Sequence, residues 1–216
     1  MITCPNCGDL TKDEIIVHMT CLRKYSFGHS PILPRCKMCN TDVMITNKCN
    51  GGNIVMLTGT NGSGKSTVAE VLTQKGFLAI DGDCVAESVK YRKNGIYPNF
   101  GDMVDEFALE IDIISMYSDN IVFSHVIDPS SIDSWINIVE SRNLTYTVFL
   151  LKPDLEIAVE RNRERTSRVN IIPDWRVENL YKKMIFDKRV ITVNNSNITP
   201  EETAEYILRQ INYVQI

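Results

Sequence analysis

The chain has 216 residues, 44% of them hydrophobic and 23% charged, with a formal net charge of −4. That length supports one full core and a small appendage, and the acidic balance argues against a body that coats nucleic acid while leaving room for a single basic groove. No run approaches the ~20 apolar residues that span a bilayer, and Met1-Ile2-Thr3-Cys4-Pro5 lacks the charged start of a signal peptide, so a cytoplasmic location is expected.

Six of the seven cysteines lie in the first fifty residues, and Cys84 reads as a small core residue. In a reducing compartment such clustering favours metal ligation over disulfides. Cys4-Pro5-Asn6-Cys7 and Cys36-Lys37-Met38-Cys39 have the two-residue spacing that brings a pair of thiolates to one edge of a zinc tetrahedron. Together they define a ribbon-like Zn²⁺ site on Cys4, Cys7, Cys36 and Cys39, holding together a segment too small to be stable through its own core. Glu14 to Tyr25 reads as a helix with His18 and Cys21 on one face. A second assignment is therefore open, with Cys4, Cys7, His18 and Cys21 on one ion and His29, Cys36, Cys39 and Cys49 on another; one ion is preferred because the second set lacks clean pairing. The segment carries six Lys or Arg against four Asp or Glu, a tilt that permits nucleic acid or a protein as partner.

Asn50-Gly51-Gly52-Asn53 is a turn-rich boundary, which divides the chain into a ribbon at 1–50 and a second domain at 51–216. Beyond it, Ile54 to Thr58 reads as a buried strand, Lys65 to Lys75 as a helix stopped by Gly76, and Phe77–Ile80, Ile121–Phe123, Tyr146–Leu151 and Val190–Val193 as four further strands. Five β-rich runs with helical patterns between them specify an α/β fold, a five-stranded parallel sheet with helices on both faces. Thr199, Pro200 and Glu202 announce the last helix through a capping box.

Between the first strand and first helix runs Gly59-Thr60-Asn61-Gly62-Ser63-Gly64-Lys65-Ser66-Thr67. Polyphosphate crowds negative charge into a small volume, and the glycines let backbone N–H groups approach it. Lys65 reaches the β- and γ-phosphates of ATP or GTP, and the Ser66 hydroxyl can ligate Mg²⁺. Thr67 is read as a helix residue facing the α-phosphate region. This is a P-loop, and the signal is specific because strand, loop and helix occur in the required order.

Asp81-Gly82-Asp83 falls at the carboxyl end of the second strand, where open α/β sheets bind ligands. A carboxylate there suits the proton of an attacking hydroxyl, although Asp-Gly-Asp also suits a plain solvated turn. Arg161, Arg165 and Arg168 share one helical face and suit a lid over the phosphates; the plainer reading is a solvated helix partnered by Glu160 and Glu164. His125, at the end of the third strand, either touches the acceptor or is simply hydrogen-bonded. Tyr91-Arg92-Lys93 offers a basic wall or a solvated helix end.

From about Ile54 to Gln210 the sequence resembles the small P-loop kinases that include chloramphenicol phosphotransferase, gluconate kinase, adenylylsulfate kinase and the kinase domain of polynucleotide kinase. The resemblance rests on the loop at 59–67, Asp81-Gly82-Asp83, the stretch from Thr147 through Arg165, and the tail from Val190 through Glu202. It implies an ATP-dependent kinase in which Asp83 acts on the acceptor hydroxyl, Lys65 on the phosphates, and Arg161 and Arg165 belong to the lid. Asn194-Asn195-Ser196 stands where relatives often place an aspartate, and Phe123-Ser124-His125 carries no acceptor signature. A nucleoside, nucleotide or nucleic-acid 5′ end is the expected acceptor. A small metabolite or antibiotic is the alternative, and so is a nucleotide-dependent module in which the ribbon grips nucleic acid or a protein.

Overall fold

A computed structural model describes residues 2–16, 35–41, 43–45, 51–165 and 171–214. The alternation of apolar side chains along the central strand organises the larger part. On β6 (Asn53–Thr58), Ile54 and Met56 face one side and Val55 and Leu57 the other, and all four are fully buried. Residues of period two must be covered on both faces when both are apolar, so helices cover each side.

The other strands are β7 (Leu78–Asp81), β8 (Asn120–Ser124), β9 (Thr145–Leu151) and β10 (Val190–Val193), and the spatial order is β10-β9-β6-β8-β7, every pairing parallel. On one face lie α3 (Phe100–Ile114) and α4 (Ile132–Glu140), which bring Phe107, Ile111, Trp135 and Val139 against Ile54, Met56 and Phe123. On the other, α1 (Lys65–Gln74) and α7 (Pro200–Val214) deliver Val68, Leu72, Ile207 and Ile211. Truncating one of the large fully buried rings, such as Phe107, is worth about 3–5 kcal/mol. The remaining helices are α2 (Gly82–Arg92), α5 (Leu155–Arg163) and α6 (Asp174–Lys183). Chain order reverses at β6, with β8 on one side and β9 on the other, so the crevice at its carboxyl end is where a ligand of this sheet binds.

The ends of these elements follow local chemistry. Thr199 and Glu202 form the expected capping box on α7, with Thr199 N–H donating to Glu202 at 2.7 Å and Glu202 N–H to Thr199 Oγ1 at 3.1 Å. Asn99 and Asp102 do the same for α3. Arg142, just past α4, grips Asp112 of α3 with two hydrogen bonds of 2.7 and 2.8 Å, fixing the two helices that frame one side of the crevice.

The first residues make β1 (Ile2–Cys4), β2 (Gly8–Leu10) and β5 (Met44–Ile45) in one antiparallel sheet, and β3 (Ile15–Ile16) pairs with β4 (Arg35–Cys36). The helix expected from Glu14 therefore does not start there. Two β-branched isoleucines favour an extended pairing, and Ile15 sits directly opposite Cys36. His18, Cys21, His29 and Cys49 lie outside the described residues, as does Arg168. Ile2, Ile15 and Val43 pack against Ile113 and Met116 at the end of α3, so the amino-terminal segment rests on the larger part through a shared apolar cluster. Among the described residues no helix is long and apolar enough to cross a membrane.

Candidate functional site

The loop between β6 and α1 adopts the backbone that its glycines anticipate: Gly59, Gly62 and Gly64 have φ of 146°, 81° and 90°. Gly62 is fixed by more than its dihedral angle. A Cβ there would lie 2.0 Å from the Ala158 carbonyl oxygen of α5, so the loop can lie against that helix only without a side chain. The Lys65 ammonium donates to the carbonyls of Gly59 and Thr60, both at 2.9 Å, and to Ser63 Oγ at 3.4 Å. Burial, helped by the charge of Arg165, pushes Lys65 down to about 8, against the pull of Asp83 and Asp81. A buried ammonium held by neutral carbonyls is a cation awaiting an anion. The Thr60 hydroxyl turns back to the Asn61 carbonyl, and Thr67 is exposed one residue beyond Ser66.

Facing the loop is the end of β7. Asp81-Gly82-Asp83 is not a turn: Asp81 closes the strand and α2 begins at Gly82. Asp81 Oδ1 accepts the Asp83 N–H at 2.8 Å, so the first carboxylate caps the helix while the second stands at its exposed beginning. Burial and then the neighbouring Asp83 push the Asp81 carboxyl up to about 6. Gly82 has a separate duty, because a Cβ on it would lie 2.0 Å from Nδ1 of His125. The imidazole lies directly against this glycine.

These groups meet in a cleft of about 360 Å³ lined by Asn61, Lys65, Ser66, Asp81, Asp83, His125, Arg165 and Arg176 among others. Of the residues read from the sequence, Lys65, Ser66, Asp83 and Arg165 line this cleft together. Arg161 is placed elsewhere. Its guanidinium donates to the carbonyls of Asn195 and Ser196, at 3.1 and 3.2 Å, and it does not line the cleft. Those acceptors sit in the loop after β10, whose Asn195 amide donates to the Ser63 carbonyl at 2.9 Å, so Arg161 braces the back of the phosphate loop. Lys93 pairs with Asp102 at the start of α3 and does not line the cleft. Arg176 was not singled out from sequence. Its signal is faint, an arginine in the first turn of the helix that follows Ile172-Pro173.

A second cavity of about 460 Å³ shares His125 and Val126 with the first and runs between α3 and α4. Burial pushes His125 down to about 4, so it is neutral at pH 7. Its ring meets Trp135 edge to face at 5.4 Å, and its backbone N–H donates to the Leu57 carbonyl at 3.1 Å, so the chain holds it at the junction of the two spaces.

The four cysteines Cys4, Cys7, Cys36 and Cys39 place their sulfurs within 4.8 Å of one another. A tetrahedral zinc with Zn–S of about 2.3 Å needs sulfurs about 3.8 Å apart, so the cluster fits with small adjustment. Each pair is followed by a residue of left-handed backbone, Gly8 at φ 82° and Asn40 at φ 57°, which turns the chain beneath the sulfurs. Hydrogen bonding from Cys39, then burial, pushes the Cys7 thiol up to about 12, while Thr41 pulls Cys39 down to about 6. Thiols pressed together in this way gain by exchanging protons for a cation.

The dephospho-CoA kinase family model matches residues 53–112, well under half of the chain. The Deinococcus radiodurans tunicamycin resistance protein superimposes with a TM-score of 0.61 at 17% identity, over 74% of this chain and 95% of that one. The chain has the P-loop NTPase fold, a five-stranded parallel sheet with helices on both faces. A gluconokinase from Sinorhizobium meliloti gives 0.53 at 18% identity, over 78% and 99%, and the Mycobacterium tuberculosis APS kinase 0.52 at 15%, over 74% and 98%. At such identities the likeness is one of fold. No curated protein gives a significant sequence match.

Proposed function

We propose that the protein is an ATP-dependent kinase that phosphorylates a hydroxyl group of a small molecule. The observation that carries this reading is the convergence of Lys65, Ser66, Asp81, Asp83, Arg165 and Arg176 on one cleft. Phosphoryl transfer needs positioning and charge neutralisation more than covalent help, and these groups supply both. The loop amides and Lys65 hold the triphosphate. Ser66, with an aspartate of the pair, would hold Mg²⁺, which when bound neutralises charge across the phosphates.

Asp83 receives the proton of the acceptor hydroxyl as its oxygen bonds to the γ-phosphorus. The bond from that phosphorus to the bridging oxygen breaks, and ADP leaves with the electron pair. Arg165 and Arg176 face the charge that spreads over the transferring group. Arg161 positions the loop from behind. The nucleic-acid end expected from the sequence gains no specific support from the cleft or from the neighbouring cavity of about 460 Å³, while the structural neighbours named as a gluconokinase and a tunicamycin resistance protein favour a small acceptor. The division at 1–50 and 51–216 and a Zn²⁺ on the four thiolates belong to the same proposal, with the metal tying the segment that packs on α3.

The test is calorimetry with Mg-ATP alongside a transfer assay. Asp83→Asn is expected to bind ATP as the native chain does and to lose transfer by about 10²-fold or more, whereas Lys65→Ala loses both. Full transfer by Asp83→Asn would remove the carboxylate from the mechanism.

A further inference from the structure

The cavity between α3 and α4 differs in chemistry from the cleft it joins. The cleft carries Lys65, Arg165 and Arg176; the second cavity, among the described residues, is lined by no lysine or arginine. Its apolar wall is Phe100, Met103 and Trp135, with the Phe100 ring edge-on to Trp135 at 5.8 Å and 47% exposed at the rim. Its polar wall is Ser130, Ser131, Ser134 and Asp128. Asp128 accepts hydrogen bonds from the Ser130 N–H at 2.9 Å and the Ser130 hydroxyl at 2.5 Å, which hold its carboxyl below the usual range and keep it ionised. Lys183 exerts a weak pull on Asp128 but does not line the cavity, and His125 is neutral. Trp135 is 1% exposed, and its indole N–H has no hydrogen-bond acceptor among the described residues.

We infer that this cavity is the acceptor subsite and that it takes an uncharged, ring-bearing alcohol, not a phosphorylated or carboxylated one. The inference rests on the kinase reading and goes beyond it by naming the acceptor class. A phosphate or carboxylate entering here would lose its hydration, meet the Asp128 carboxylate and find no counter-charge. An uncharged ring instead packs on the exposed Phe100 beside Met103, with the edge of Trp135 behind them, while its hydroxyls meet the serines and Asp128. The reacting hydroxyl then lies at the His125 end, the end that opens onto Asp83.

The experiment uses the full chain carrying Trp175→Phe, which removes the exposed tryptophan and leaves Trp135 as the sole reporter of the two in the sequence. Phenyl β-D-glucoside and phenyl β-D-glucuronide are titrated in parallel, since they differ by a hydroxymethyl against a carboxylate. The glucoside is expected to change Trp135 emission at about tenfold or more lower concentration than the glucuronide. Ser134→Arg, which adds a cation to the wall, is expected to reverse that order. Equal or tighter binding of the glucuronide to the native cavity overturns the inference, and so does a Trp135 signal that neither compound moves at millimolar concentration. Transfer from labelled ATP is read separately. Trp135-detected binding of the glucoside without label transfer to any alcohol sinks the kinase reading and leaves only a binding cavity for uncharged rings, not an acceptor subsite, while Lys65-dependent transfer to anionic acceptors alone keeps the kinase and sinks the acceptor class.

Discussion

Replacing Asp81 with asparagine should make the empty protein more stable at neutral pH. The Asp81 carboxyl is pushed from 3.8 to about 6 by burial and by Asp83, and at about 1.4 kcal/mol per unit the ionised form costs up to about 3 kcal/mol. Asp81 is only partly buried, so solvent screening brings the figure to about 1–2 kcal/mol. The sign follows from linkage. A folded-state value above the unfolded one means that between about pH 4 and pH 6 the folded chain holds more protons, so stability falls as pH rises through that window and the penalty is complete above it. Asparagine keeps the oxygen that accepts the Asp83 N–H at 2.8 Å and so retains the cap. Denaturant melts of both chains, without added magnesium or nucleotide, should show the variant more stable by about 1–2 kcal/mol at pH 7.5, or about 2–8 °C in Tm, with the gap closing towards pH 4. Comparing the two chains at each pH cancels the thiols of the amino-terminal cluster. A variant less stable than the parent at pH 7.5, or a gap that does not change with pH, would refute the reasoning.

Gly82→Ala forces the new methyl onto the His125 ring, 2.0 Å away; it should cost about 1–3 kcal/mol in melting experiments and raise the acceptor KM more than the ATP KM. Lys65 sits at about 8 in the empty site, so calorimetric ATP affinity should weaken as pH rises above that value and the ammonium is lost, while Lys65→Arg should bind with little change over the same range. Cys36→Ser should abolish one equivalent of bound zinc by atomic absorption and lower Tm, because Cys36 is fully buried and in the cluster with Ile113 and Met116. An unchanged metal content would remove the four-thiolate site.

Much of the larger part was legible because its signals are local. The strand, glycine loop and helix around Lys65 lie in one continuous stretch, and the five β-rich runs all became strands with ends shifted by about one residue. The capping box on α7 was equally local. What escaped depends on residues far apart in the chain. Phe100, His125 and Trp135 meet only because α3 and α4 pack on the same sheet face, and no spacing in the sequence announces the cavity they form. The glycine of Asp81-Gly82-Asp83 reads as a turn residue, yet it is there for the imidazole of His125, forty-odd residues on. Helical spacing put Arg161 and Arg165 on one face, but it could not say that the loop carbonyls of Asn195 and Ser196 would take the first of them. At Ile15 and Ile16 an apolar pair fitted a helix pattern equally well, and strand pairing with Arg35 and Cys36 decided the matter.

The most direct measurement is incubation of the full chain with γ-labelled ATP, magnesium and a pool of uncharged and anionic alcohols, followed by separation of the products. Label should move into an organic phosphate ester, and the transfer should vanish in both Lys65→Ala and Asp83→Asn. Label recovered only as inorganic phosphate, whatever alcohol is offered, would contradict the account.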